Sequence, residues 1–343
     1  MSKIKVLVLP SDKTGVGKFR SVDPHVMLQN NHSDEFHVDI DYEPKINDLN
    51  YWKQYDIVHF HRTIAHEYDN SVNLIKKLNS LGVVTIMDLD DYWLPTKEHP
   101  VHQMVIQTNL HKKIIENLKV AQHITTTTSV FATEISKYNK SVFVLPNAIN
   151  PKESQFNAKT EPSDRLRFGW LGGSSHLHDL KLLDGTMNKL TPLKDKFSMY
   201  LCGFDIRGTV TEINQQTGEQ KQRQIKPEET VWARYEEIFT DNYKLVDENH
   251  KDYLMKFTEE EYKSNTSTFY NRVWTKPVTS YANNYKWFDV SNHSDWSKYM
   301  KKLIDNPNFA YDLGQKLYET VKDTYDLNVV TKNRAELYKS LVK

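Results

Sequence analysis

Four short stretches carry residue types that could do chemistry. "DIVHFHR" (56–62) is an apolar run that ends in His59, His61 and Arg62. Residues two apart on a strand share a face, so the two histidines point the same way. In open α/β sheets ligands sit beyond the carboxyl ends of strands, which makes His61 and Arg62 candidates for hydrogen bonds to a substrate. Zinc is an alternative for the histidine pair, but the sequence offers no third ligand nearby. "MDLDDYWLP" (87–95) places Asp88, Asp90 and Asp91 at a second strand end, with Trp93 following. The D-x-D spacing invites a metal–diphosphate reading. Contacts to substrate hydroxyls, or capping and loop structure, suit these carboxylates better. Trp93 reads either as a stacking platform for a sugar or as a core or hinge residue.

Two glycine stretches complete the set. In "SDKTGVGKFR" (11–20), Gly15 and Gly17 would shape a loop over a ligand and Lys18 and Arg20 would supply positive charge. A plain loop after a first strand is the preferred reading from these residues alone. In "RFGWLGGSSHLHDLKLL" (167–183), an apolar run breaks into Gly172-Gly173-Ser174-Ser175 before a helical pattern that begins near His176. Backbone N–H groups in such a turn can meet a phosphate, with His176 or His178 as a further donor. The stretch is neither G-x-G-x-x-G nor a Walker loop.

These stretches need a scaffold, and the pattern around them supplies one. Strand candidates are 3–10, 36–40, 56–61, 83–89, 123–128 and 142–146, with helical patterns between several of them at 22–30, 69–82, 101–120 and 129–139. Val72, Leu74, Ile75 and Leu78 mix spacings of three and four, which makes one helix face, and Gly82 stands where a helix-ending glycine would. Alternation of short apolar strands with helices predicts a parallel sheet covered by helices. The four threonines at 125–128 and Ser129, an expected N-cap, read as structure.

Residues 1–150 are expected to form one domain and 151–165 a linker. A second domain over 166–325 begins a new strand–helix–strand alternation, with an insertion at about 206–270, a surface loop or hairpin at 211–230 and a helix near 248–263. The end is helical, with Ser294 an expected N-cap, Pro307 in a first turn, and 326–343 packing back on the first domain.

The totals exclude several classes. Lys+Arg and Asp+Glu are both 45 in 343 residues, a formal net charge of zero, which argues against bulk electrostatic binding of nucleic acid. The single cysteine, Cys202, excludes an internal disulfide framework and a multi-cysteine zinc site. No stretch is long and apolar enough to span a membrane, and the run Val6 to Leu9 is too short for a signal-peptide core. A cytoplasmic protein is expected.

Taken in order, "KVLVLP…GVGKFR", "DIVHFH", "VVTIMDLDD", "TTTTSVFATEISKY", "VFVLPNAIN" and "LRFGWLGGSSHLHDL" resemble the GT-B glycosyltransferases, closest to the retaining family 4, or group 1. The resemblance implies an α/β protein of two Rossmann-like domains. It moves a sugar from a nucleotide-sugar donor, held by the C-terminal domain, to an acceptor held by the N-terminal one. It implies no metal and no organic cofactor. Carried over, His61 and Asp88 would act near the transferred sugar. Gly15, Gly17 and Gly172, Gly173, Ser174 and Ser175 would lie at the donor phosphates. Arg62, Asp90, Asp91 and Trp93 would face the acceptor. Trp170 stands where the family has a diphosphate-binding Arg, so His176, His178 or Lys181 would serve.

The family pattern breaks after Val290. "YKWFDVS" (285–291) resembles a late donor-domain strand, yet it runs directly into "NHSDWSKYMKKLIDNP". The strand–helix–strand unit expected between them takes roughly 30 or more residues. An internal gap is therefore expected after Ser291, in a reduced donor domain. No E-x7-E motif with a following "P-V-I-A" strand occurs elsewhere. Two functions follow: a glycosyltransferase, or a non-catalytic GT-B-like protein that binds a nucleotide or glycan. A sugar-nucleotide epimerase ranks last, for want of a catalytic carboxylate pair.

Overall fold

The structure is a computed structural model that describes residues 2–13, 15–64, 68–97, 99, 101–153, 166–171, 176–202, 209–213, 220–224, 226, 229, 254–255 and 293–342. Gly172 to Ser175, most of the region expected as an insertion, and the Ser291–Asn292 junction lie outside the described residues. The chain divides into two compact units. One holds the described residues of Met1–Ala158 and Leu317–Lys343, the other those of Lys159–Val273 and Asn284–Lys316.

The first unit is a six-stranded, wholly parallel sheet: β1 (Ile4–Leu9), β2 (Phe36–Ile40), β3 (Ile57–His61), β4 (Val84–Leu89), β5 (His123–Thr126) and β6 (Val142–Val144), in the order β2-β1-β3-β4-β5-β6. Helices α1 (Asp23–Asn31), α2 (Leu49–Lys53), α3 (Tyr68–Ser80), α4 (His102–Gln107), α5 (Leu110–Val120) and α6 (Ser129–Ile135) alternate with the strands. This is the α/β sheet expected from the sequence.

Both faces are buried because a parallel sheet has helices on each side. Alternate strand residues sort onto the two faces. Leu7, Leu9, Val58, Phe60, Met87, Leu89 and Ile124 join Leu74, Ile75 and Leu78 of α3 and Ile114 and Leu118 of α5 in one cluster. Val6, Val8, Ile57 and Ile86 join Leu28 of α1 and two residues of the C-terminal helix, Ala335 and Tyr338, in the other. Each large apolar side chain removed from water in this way contributes about 1.5–3 kcal/mol.

On the second face the pattern changes toward the carboxyl end. β3 presents Ile57, then His59, then His61, and β4 presents Ile86, then Asp88. Pairing brings His61 directly beside Asp88. The apolar layer therefore becomes polar at one rim of the sheet.

Two helical expectations change. The pattern over 101–120 forms two helices, because Asn109 takes a left-handed backbone with φ of 52° between α4 and α5. Thr128, rather than Ser129, caps α6, accepting from the Phe131 N–H at 3.1 Å. Gly82 follows α3 with φ of 81°, the conformation that a helix-ending glycine adopts at least cost.

The stretch expected as a glycine loop is a π-helical turn, Gly17–Val22. A Cβ built on Gly17 would lie 1.9 Å from the Asp12 carbonyl oxygen, so any side chain collides with backbone. Gly17→Ala is expected to destabilise the protein by about 1–3 kcal/mol, as over-packing does. Urea unfolding of the variant checks it; an unchanged midpoint would contradict this packing.

In the second unit β7 (Leu166–Leu171) pairs in parallel with β8 (Phe197–Cys202), which pairs with β11 (Leu254–Met255). β11 is a strand where the sequence reading placed a helix near 248–263. The helical pattern after residue 176 breaks into α7 (Leu177–Leu180), a 3-10 turn and α8 (Thr186–Leu190). β9 (Thr209–Ile213) and β10 (Gln220–Gln224) form an antiparallel hairpin. Arg223 of β10 pairs with Glu212 and Glu229 on its surface.

Three helices close the chain: α9 (His293–Asp305), α10 (Pro307–Thr324) and α11 (Leu327–Leu341). α9 already begins at His293, so Ser294 is inside the helix rather than its N-cap. Pro307 opens α10, where its missing N–H costs nothing. Asp326 caps α11 by accepting from the Asn328 N–H at 2.7 Å. α11 packs on α1 and on the sheet through Ala335 and Tyr338. No described helix is long and apolar enough to cross a membrane.

Candidate functional site

The strand order reverses between β1 and β3: the chain leaves β1 for β2 on one side and returns to β3 on the other. Such a switch point opens a crevice at the carboxyl ends of the two strands, where open α/β sheets bind ligands. A cavity of about 270 Å³ lies there. Pro10, Ser11, Asp12 and Val16 line it from the β1 side and His61, Arg62 and Thr63 from the β3 side, with Tyr68 and Asp91 completing the wall.

The rim after β3 is held in an unusual backbone. Arg62 is left-handed, with φ of 60°, a conformation that costs energy for a residue with a Cβ. Three hydrogen bonds hold it. The Arg62 N–H donates to the Asp88 carbonyl at 3.1 Å, the Arg62 carbonyl accepts from Asn117 Nδ2 at 2.9 Å, and the Thr63 N–H donates to the His61 carbonyl at 2.7 Å. The turn directs the Arg62 guanidinium back over β4, where Nη2 lies 3.1 Å from both Asp90 Oδ1 and Asp91 Oδ2.

Asp90 also takes His61: Nε2 lies 2.8 Å from Oδ1. Burial would push the Asp90 carboxyl up, but His61 and Arg62 together hold it well below the usual range. The pairing fixes the imidazole in one orientation. Three side chains of the cavity wall carry a buried polar atom with no partner among the described residues: His61 Nδ1, Arg62 Nε and Thr63 Oγ1. Buried polar atoms in native proteins are nearly always satisfied, so three on consecutive residues behind one cavity wall set this rim apart from the rest of the sheet.

Behind this rim lies an ion pair that does not line this cavity. Arg20 Nη2 and Nε meet Asp88 Oδ1 and Oδ2 at 2.5 and 2.9 Å, a two-pronged pair in which neither partner is more than 2% exposed. Thr125 donates to Asp88 Oδ1 at 2.6 Å, and Arg20 Nη1 donates to the Leu145 carbonyl at 2.8 Å and to Asn147 Oδ1 at 3.1 Å. Burial would raise the Asp88 carboxyl; the Arg20 charge and hydrogen bonds hold it below its ordinary value.

A further buried polar layer joins the sheet to α11. His25 of α1 contacts the Ser21 carbonyl through Nδ1 at 2.6 Å and the Tyr338 hydroxyl through Nε2 at 2.8 Å. Arg334 of α11 donates to that hydroxyl at 3.0 Å and lies 3.5 Å from His59 Nε2. The His25 and His59 rings are 4.5 Å apart. Burial, the Arg334 charge and neighbouring groups push both histidines well below their ordinary value of 6.5.

The residues singled out from the sequence thus divide. His61, Arg62, Asp90 and Asp91 come together at the cavity. Asp88 does not reach it: it is fully buried against Arg20 and cannot touch a ligand. Arg20 spends its charge on Asp88, and Lys18 pairs with Asp23 at 2.6 Å and Glu153 at 3.8 Å, so neither supplies the free positive charge expected of the glycine stretch. Gly15 and Gly17 are buried in the turn after β1. Trp93 is a core residue, stacked with Tyr92 and Phe131 and edge-on to Tyr138. In the second unit His176 precedes α7 and pairs with Asp179 at 2.8 Å, and Lys181 opens the 3-10 turn, exposed. No group of three or more His, Cys, Asp or Glu among the described residues could hold a metal ion.

Ser11, Asp12, Thr63 and Tyr68 belong to the cavity without having been singled out. The signal for the first two was present: they directly follow the first strand. Thr63 and Tyr68 are placed by the left-handed turn at Arg62, which the sequence does not announce.

No family model matches the chain, and no curated protein matches it. Solved structures do, by fold. The sucrose-phosphate synthase of Thermosynechococcus elongatus is 11% identical, with a TM-score of 0.59 over 99% of each chain. The trehalose-6-phosphate phosphatase N-terminal domain of Candida albicans is 9% identical, with a TM-score of 0.57 over 99% of this chain and 97% of that one. The fold is therefore α/β and GT-B-like, as expected.

Proposed function

We propose that the chain is a glycosyltransferase of the retaining, family 4-like group, which moves a sugar from a nucleotide-sugar donor to a hydroxyl acceptor. The acceptor occupies the cavity at the β1/β3 switch point. The donor diphosphate belongs to the second unit, at Gly172 to Ser175 with His176 and Lys181. The observation that carries the reading is the cavity itself. It stands at the switch point of a GT-B-like sheet and is walled by His61, Arg62, Asp12 and Asp91, with partnerless polar atoms on three of its residues. Likeness in fold to a protein named a sucrose-phosphate synthase supports it.

In this reading the chain's own residues bind and orient. Asp90 holds His61 through Nε2 and Arg62 through Nη2, so the pair sets the polar wall of the cavity. Asn117 and the Asp88 carbonyl hold the Arg62 turn, so the rim is set before the ligand arrives. Preorganisation of this kind places reacting groups and stabilises developing charge without reorganisation at the moment of reaction. The reading needs no metal and no organic cofactor.

Incubation of the purified chain with a panel of nucleotide sugars tests it. Release of a nucleoside diphosphate that depends on an added acceptor is expected. Tight binding of the nucleotide without turnover would instead favour a non-catalytic binding protein, the reading supported by the want of an E-x7-E motif followed by a "P-V-I-A" strand.

A further inference from the structure

We infer that the switch-point cavity selects an uncharged, polyhydroxylated acceptor and rejects its phosphorylated counterpart; the inference rests on the glycosyltransferase reading above. The charge inventory carries it. Asp12 and Asp91 line the cavity, and Asp90 stands immediately behind it. Against these carboxylates the wall holds one guanidinium, Arg62, and it is shared between Asp90 and Asp91 at 3.1 Å each.

The other cations near in sequence point elsewhere. Lys13 sits over the Tyr42 ring, 5.2 Å from its centroid. Lys18 pairs with Asp23 and Glu153, and Arg20 with Asp88. Among the described residues, no lysine or arginine remains at the cavity to neutralise a phosphate, which would enter beside two carboxylates. Like charges so placed discriminate by repulsion.

A sugar hydroxyl meets no such cost. It both donates and accepts, and so can serve the mixed set at the wall: the Arg62 guanidinium, the exposed Asp91 carboxylate, and the Asp12 carboxylate, which already accepts from Ser11 Oγ at 2.6 Å and the Gly17 N–H at 3.3 Å. The same carboxylates that repel a phosphate accept from vicinal hydroxyls.

Saturation-transfer NMR on the full chain, with glucose, fructose and mannose and with the 6-phosphate of each, tests the selection. At least one neutral sugar is expected to bind, about tenfold or more tighter than its phosphate. Asp91→Asn, at a three-quarters exposed position where folding is not at risk, is expected to narrow that gap several-fold by improving the phosphate. A phosphate that binds as well as or better than the neutral sugar overturns the inference alone. An unchanged gap in Asp91→Asn overturns its assignment to charge. Binding of neither class overturns the acceptor reading of the cavity, and the inference with it.

Discussion

Replacing Arg20 with Met is expected to cost about 3–5 kcal/mol. The reason is what remains. Asp88 is fully buried and has no water to turn to, and Arg20 supplies two of the hydrogen bonds that hold its charge. Removing Arg20 leaves that charge in a low-dielectric interior with only Thr125 donating to it. It also frees the Leu145 carbonyl and Asn147, which Arg20 ties to the π-helical turn from the far side of the sheet. Since whole domains are stable by about 5–15 kcal/mol, the variant should be largely unfolded under mild denaturant. Arg20→Lys keeps the charge and loses the fork, and should fall between. The double variant Arg20→Met/Asp88→Leu leaves no stranded charge and should be more stable than Arg20→Met. Urea unfolding measures all three; a loss below about 1 kcal/mol in Arg20→Met would contradict the account of this pair.

Acid should destabilise the first unit well above the range in which its carboxylates titrate. His25 and His59 are buried, and both are held well below 6.5 by burial and the Arg334 charge. Their surroundings are Arg20 and Ser21 from the π-helical turn, His25 from α1, His59, His61 and Asp88 from the sheet, and Arg334 and Tyr338 from α11. Folding therefore keeps both neutral, while the unfolded chain takes up two protons as pH falls through 6.5. The stability that depends on their neutrality is complete above that value and declines below it, by up to about 1.4 kcal/mol per pH unit for each histidine. Asp88 and Asp90, held below 3.8, add their losses only at lower pH. The midpoint of urea unfolding should hold steady from pH 8 to 7 and fall steeply from pH 6.5 to 5. In His25→Gln/His59→Gln, less stable at pH 8, the slope should be much shallower, with the half-buried His123 left to contribute. A flat wild-type profile would show that these histidines are charged or exposed in the folded protein.

Much of the fold could be read from the residues. β3 and β4 were plain because "IVHFH" and "VTIMDL" are apolar, β-branched and bounded by turns. Burial on both faces of a parallel sheet produces that pattern directly. The histidines of β3 could be put on one face by period alone. What lay out of reach was depth. Asp88 and Asp90 share a strand end in the sequence, yet one is sealed against Arg20, 68 residues away, and the other holds His61 at the rim. A difference of two residues along a strand decides between core and cavity, and only the packing of the π-helical turn settles it. Trp93 misled for a related reason: an aromatic after a strand end serves a sugar or a core equally well, until Phe131 and Tyr138 close over it. Asn109 split a helical pattern whose apolar spacing runs unbroken through it. The cavity residues Ser11 and Asp12 were marked by position but overlooked beside the glycines.

The central claim is that the switch-point cavity serves sugar transfer, with the His61–Asp90 pair setting its polar wall. Its most direct test is acceptor-dependent release of nucleoside diphosphate from a nucleotide-sugar panel, measured for the wild-type chain and for His61→Ala shown to be folded by circular dichroism. Wild type should release diphosphate with at least one donor, and His61→Ala about a hundredfold more slowly, the scale for loss of one positioned polar group at a reacting centre. Release that is absent for every donor, or equal in the two proteins, would contradict it.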